Sequence, residues 1–258
     1  MVRIRGRLLI NPTCTLNSQL ASALLTKLEY AMKLKVIKNA CAIFIGLTLL
    51  HNLADAQEKP QPDWHTTVVE FAKANFKHPA WGFSHSVRDY HLAKTLAAKD
   101  HVKLDDDVLF AAAYLHDMAA FARWEKEGVD HADQAASIVD TVLNGSGFPV
   151  EKIAAVRSAI RTHMFDRDPI GAESIYLHDA DALDWLGAIG IARILALIDP
   201  NGGQPDSHEI VAMLDEYTTK VPKCLMSRSG KLMAKQRTAE SVHYLQRLKS
   251  ETENLLTL

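Results

Sequence analysis

The chain has 258 residues, 48% of them hydrophobic and 23% charged, which is enough apolar material for one sizeable core. Its formal net charge of -2 hides an asymmetry: seven of the 29 Lys/Arg and two of the 31 Asp/Glu fall in residues 1–56, leaving 22 basic against 29 acidic side chains beyond them. An acidic main domain argues against duplex nucleic acid as a partner, and with Cys224 its only cysteine, neither a disulfide framework nor a Cys-based zinc site can form there.

From Met32 the sequence reads MKLKVIKNACAIFIGLTLLHNLADAQ. Lys33, Lys35 and Lys38 form a basic front, Ala40–Leu50 is an apolar run, and Ala54-Asp55-Ala56 offers the small-x-small pattern of a signal peptidase site. The run falls short of the ~20 residues that span a bilayer, so no stable membrane span is expected. The order predicts a start at Met32, a signal peptide over 32–56, a mature N-terminus at Gln57, and a periplasmic or secreted protein. Residues 1–31 would then precede the true start. The alternatives are an amphipathic helix over 20–50 packed on the domain, or an uncleaved interfacial anchor.

Residues 57–63, with Pro60 and Pro62, read as a linker. Beyond it, over 64–258, apolar residues recur at helical spacing and almost no strand-like alternation is present. The predicted helices are 65–76, 84–99, 105–123, 131–144, 150–162, 172–177, 179–198, 207–219 and 229–256. Their breaks are Pro79, Gly128, Asn144-Gly145, Pro149, Pro169, Pro200–Gly203 and Pro222. The fold class is therefore all-α, a single helical bundle behind a signal peptide.

Twelve histidines are many for this length, and three contexts stand out. His116-Asp117 ends the apolar run FAAAYL, where burying an imidazole beside a carboxylate is costly unless they are paired or bind metal. His85 opens the helix HSVRDYHLAKTLA, and Asp181 is embedded in LHDADALDWLGAIGIAR. Two histidines and two carboxylates on three helices suit Mn²⁺, Fe²⁺, Zn²⁺, Co²⁺ or Mg²⁺. Asp179 and Asp181, two residues apart on a helix, point to nearly opposite sides.

The order His, then His-Asp, then Asp resembles the signature of the HD superfamily of metal-dependent phosphohydrolases. Its flanks extend the likeness over most of 80–256: HSVRDY, AAAYLHD, HDADALDWLGAIGIAR and SRSGKLMAKQRTAESVHYLQRLKSE. The resemblance implies a single HD domain that hydrolyses a phosphate ester or nucleotide by metal-activated water, with a small phosphorylated substrate as partner. It implies a first metal at His85, His116, Asp117 and Asp181, the acid before Ala182-Leu183 being preferred over Asp179, which is then expected to cap its own helix. In dinuclear relatives two further histidines bind a second ion with the Asp of the pair bridging; His131 and His163 occupy that order, so one or two ions are expected. Asp117 and Arg88 are the expected catalytic groups, Arg88 as the phosphate contact, with Arg193, Lys235 and Arg237 as weaker candidates. Asp184, one turn beyond Asp181, would support the ligands, and Trp185 would line the substrate cavity. Ala182 stands where many relatives carry a basic residue, which argues against a nucleoside triphosphate. His51 lies in the leader, His178-Asp179 reads as structural, and the other histidines read as surface or packing groups. Two other readings of the same site are a di-iron oxygenase, which would purify with iron and give a mixed-valence signal, and a non-catalytic metal- or ligand-binding domain.

Overall fold

In the computed structural model the described residues are 63–258, together with Met32 and Lys35. The expected leader and its cleavage site, and the linker up to residue 62, otherwise lie outside them. Residues 63–258 belong to one compact unit, Gln61–Leu258, in which every regular element described is helical. None of the described helices is long and apolar enough to cross a membrane.

The helices are α1 (Trp64–Asn75), α2 (Phe83–Lys99), α3 (Asp106–Leu115), α4 (His131–Ile138), α5 (Asp140–Leu143), α6 (Ile153–Arg161), α7 (Ala172–Leu183), α8 (Gly187–Leu195), α9 (Ser207–Cys224) and α10 (Arg228–Glu251). α3 is the central element. Asp105 caps it by accepting from the N–H groups of Asp107 and Val108, and Asp106 and Asp107 add negative charge to its first turn. From Val108 to Leu115 only Phe110 is not fully buried, the composition of a helix covered on all sides. It packs against α1, α2, α6 and α7. A second, smaller apolar cluster, built on Ile194, Ile210, Val211, Leu214 and Leu245, joins α8, α9 and α10.

Several element boundaries differ from the sequence-based expectation, and the helix expected over 131–144 is divided into α4 and α5. The helix expected over 105–123 ends at Leu115, because Asp117 leaves helical geometry (φ -92°, ψ 9°) and the apolar residues after it pack from a 3-10 turn, Met118–Ala120. The break expected between 177 and 179 is absent; α7 runs through it and stops before Asp184, and Gly187 (φ 70°) restarts the chain as α8. Pro222 does not end α9 but sits in its last turn, two residues before Cys224.

Candidate metal centre

Helix α2 carries His85 and Asp89 one turn apart, so both point to one side, and both are buried. The His85 Nδ1 faces the Asp184 carboxylate at 2.8 Å. An ionised carboxylate only accepts, so a proton sits on Nδ1, and Nε2 points away from Asp184. His116, at the C-terminal end of α3, donates Nδ1–H to the Ala113 carbonyl at 2.9 Å, one of the carbonyls that a helix end leaves unpaired. Its Nε2 is a lone pair.

These two Nε2 atoms lie 3.2 Å apart. Around them converge Asp89 Oδ2 (3.1 Å from His85 Nε2), Asp181 Oδ1 (3.3 Å from His85 Nε2) and Asp117 Oδ2 (3.5 and 3.3 Å from the two imidazoles). Five potential ligand atoms thus converge on one point. The one donor among the described residues that approaches, Arg193 Nη2, is 3.4 Å from His85 Nε2, beyond ordinary hydrogen-bond length. Spacings of this size are the edges of a coordination polyhedron with bonds of about 2.1 Å. The donor set therefore fits a divalent cation, and the buried groups of this cluster could hold one.

A second set lies across Asp117. His163 ends the helical turn after α6 and donates Nδ1–H to the Ile160 carbonyl at 2.6 Å, so its buried Nε2 is a lone pair without a hydrogen-bond partner. His131, the first residue of α4 behind its Asp130 cap, is partly exposed. Each has Nε2 3.6 Å from Asp117 Oδ1. One oxygen of Asp117 thus faces the first pair of histidines and the other faces the second.

The electrostatics follow from this packing. Burial alone would push the Asp117 pKa up, but His116, His163 and His85 outweigh it and hold it well below the usual carboxylate range. Burial likewise opposes protonation of His85, yet the acids around it, Asp89 first, raise its pKa well above normal. His116 is shifted down, by burial. Imidazole protons and a cation would therefore compete for the same lone pairs.

The expected site residues are placed as follows. His85, His116, Asp117 and Asp181 share one cluster, and His131 and His163 adjoin it through Asp117. Arg88 does not face the cluster: its Nε and Nη2 fork onto Asp184 at 2.8–3.1 Å, so it bears on the site through the carboxylate that orients His85. Arg193 is buried, donates from Nε to the Ala80 carbonyl, is ion-paired with Asp184 and lies over the Trp185 ring. Arg237 is spent on the Leu183 carbonyl, and Lys235 is exposed on α10. Asp179 does not cap its own helix. It is buried mid-helix and accepts from the N–H groups of Met226 and Ser227, where α10 begins. Asp89 was not foreseen; its spacing of four from His85 was the available signal.

A cavity of about 380 Å³ opens onto Asp117, His131 and Asp181, walled by Trp81, Phe165, Trp185, Leu197, Met213 and Tyr217. A larger cleft of about 770 Å³ beside Phe71, Trp124 and Ile138 lies away from these ligand atoms and has none of the cluster in its walls.

Residues 82–186 match the family model of the HD domain. No curated protein matches the chain. Among solved structures, a predicted HD superfamily hydrolase from an uncultured Thermotogales bacterium is 26% identical, with 77% of this chain and 98% of that one covered and a TM-score of 0.52. An HD-superfamily hydrolase from Bacillus thuringiensis is 21% identical (74% and 95% covered, TM-score 0.53). YpgQ of Bacillus subtilis, solved in complex with ADP, is 20% identical (72% and 97% covered, TM-score 0.57). The last two likenesses are of fold.

Proposed function

Since the chain is an HD domain-containing protein, we propose that it is a metal-dependent phosphohydrolase acting on a small phosphate ester, with Asp117 shared between two metal ions. The observation that carries this reading is the convergence of imidazole nitrogens and carboxylate oxygens on both sides of Asp117, at the floor of a cavity. A divalent cation there would polarise a phosphoryl oxygen and lower the pKa of the attacking water.

The chain's own residues do the rest. Asp184 fixes the tautomer and ring direction of His85, and Arg88 and Arg193 hold Asp184 ionised, with a pKa far below normal although burial alone would raise it. The aromatic walls exclude water and grip the part of the substrate beyond the phosphate. Among the described residues no Lys or Arg lines this cavity, so the compensation they offer for phosphate charge is confined to its floor. This favours a single phosphate on an aromatic or otherwise apolar group over a triphosphate chain. Export to the periplasm or outside the cell belongs to the same reading, on the basic, apolar and small-x-small order of 32–56. N-terminal sequencing of the native protein should begin at or near Gln57; an intact Met1 or Met32 in a cytoplasmic fraction would overturn that part.

The test is phosphate release by protein loaded in turn with Mn²⁺, Fe²⁺, Co²⁺, Zn²⁺ and Mg²⁺. The substrates are p-nitrophenyl phosphate, nucleoside monophosphates, ATP and inorganic polyphosphate. Aromatic monophosphates should turn over fastest. Silence across the panel would sink the hydrolase reading, and a preference for ATP would sink the substrate class alone.

A further inference from the structure

Asp89 is one of the most deeply buried acids of the molecule, and neither of its oxygens has a hydrogen-bond partner. An unpaired buried carboxylate costs several kcal/mol unless something neutralises it. The groups that face it are His85 from its own helix, His116 from the end of α3, Asp181 and Asp184 from α7 and the turn after it, and Arg193 from α8. Arg193 is already engaged by Asp184 and the Ala80 carbonyl. The Asp89 Oδ2 instead approaches the two imidazole Nε2 atoms, at 3.1 Å from that of His85 and 3.7 Å from that of His116. Ligand atoms of His85, Asp89, His116 and Asp181 all lie within 4.8 Å of one another.

We propose that Asp89 is itself a ligand of the first metal ion, a third carboxylate beside Asp117 and Asp181. The inference rests on the metal-centre reading and deepens it. Two imidazoles and three carboxylates are too many donors for the tetrahedral site that Zn²⁺ prefers, and they suit a six-coordinate cation with one position left for water or substrate. The centre is therefore tuned toward Mn²⁺ or Fe²⁺ and away from Zn²⁺. The competing account is a protonated Asp89 that donates a hydrogen bond to His85 Nε2 and never touches metal.

Asp89→Asn separates the two, because an amide keeps a donor and the shape but loses the anionic oxygen. Mn²⁺ and Zn²⁺ binding to metal-free wild type and variant would be measured by titration calorimetry, with metal content by elemental analysis. The wild type should bind Mn²⁺, and the variant should lose roughly 100-fold or more of that affinity, at least the upper end of what a residue that only orients a ligand costs. Its Mn²⁺/Zn²⁺ preference should move toward Zn²⁺. Unchanged affinities and preference in a folded variant would overturn the Asp89 assignment while leaving the centre standing; a wild type that binds no metal would overturn both. If the variant fails to fold, as circular dichroism would show, a crystal structure of Mn²⁺-loaded wild type decides. An Asp89 oxygen within about 2.0–2.6 Å of the ion upholds the proposal, and one outside coordination distance ends it.

Discussion

On α7, Asp179 and Asp181 are two residues apart and both buried, yet their surroundings are opposite in kind. The Asp179 oxygens accept from Met226 N–H at 2.8 Å and Ser227 N–H at 2.7 Å, with His178 Nδ1 at 3.0 Å. They sit against the N-terminus of α10, where the helix dipole favours an anion and Gly230 leaves room for the carboxylate. Asp181 looks the other way, toward imidazole nitrogens and other carboxylates. A buried acid encircled by donors is complete, and it holds structure together. A buried acid encircled by acceptors is incomplete until a cation arrives. The two faces of this helix divide the molecule into a satisfied polar region around the start of α10 and an unsatisfied one around His85 and His116.

The largest effects should come from the unsatisfied face. Asp181→Asn, His116→Ala and Asp117→Ala are expected to abolish metal binding and phosphate release while helical content, read by circular dichroism, stays near that of the wild type. Wild-type metal content in any of them would remove the contrast between the faces. His131→Ala and His163→Ala should act next most strongly, lowering the content from two ions per chain toward one and cutting turnover severely. A wild type that holds one ion, unchanged in both variants, would make these histidines substrate contacts.

How far this was readable from residues alone differs between the two faces. His116-Asp117 and Asp181 stood out because one ends an apolar run and the other is embedded in one, where a polar group needs a reason, and His85 because it opens a helix upstream of them in the order of the HD signature. Asp89 did not: its spacing of four from His85 puts it on the same side of α2, but it is α3 and α7 that bury it, and which elements pack there is not written in local sequence. Arg88 carried the right charge for phosphate, but its partner Asp184 is 96 residues away and only the fold brings them together. Asp179 was expected to cap its own helix because the family pattern preferred Asp181 as the ligand and the two acids point to opposite sides; the N–H groups it serves belong to a segment 47 residues later. Helical class and most element positions follow from periodicity, whereas the ends at Leu115 and Leu183 depend on side chains claimed by distant elements.

On the satisfied face the effects should be smaller and fall on stability. Asp179→Asn replaces charge-assisted bonds to two backbone N–H groups and is expected to cost about 1–3 kcal/mol in urea unfolding of the metal-free protein. Metal content should not change. Loss of metal with intact stability would reverse the roles assigned to the two carboxylates.

The smallest effect concerns Asp100, a second acid that receives the start of α10. Its carboxylate accepts from Ser229 N–H at 3.0–3.1 Å, Ser229 O–H at 2.9 Å and Tyr176 O–H at 3.1 Å, tying the end of α2 to α7 and α10. Burial would raise its pKa, but the Ser229 and Tyr176 bonds and nearby Arg228 outweigh it, so the folded value lies below the ordinary one of 3.8. A folded value below the unfolded one means that the ionised form favours the native state. That contribution is complete above about pH 4 and is lost as pH falls through the folded value. Tyr176 is shifted the other way, up to about 12, by burial and by Asp100. Its contribution is complete below about pH 10, the unfolded value, and fades as pH rises toward 12. Asp100→Asn should therefore lie a constant amount below wild type in metal-free unfolding free energy between pH 5 and pH 8, and the gap should narrow as pH drops from 4 toward 2. Tyr176→Phe should shrink the acid limb only in part, since Ser229 still donates to Asp100, and remove the Tyr176 share of the loss above pH 10. A gap between wild type and Asp100→Asn that stays constant down to pH 2 would show that this carboxylate, unlike Asp179, is not held by the donors at the start of α10.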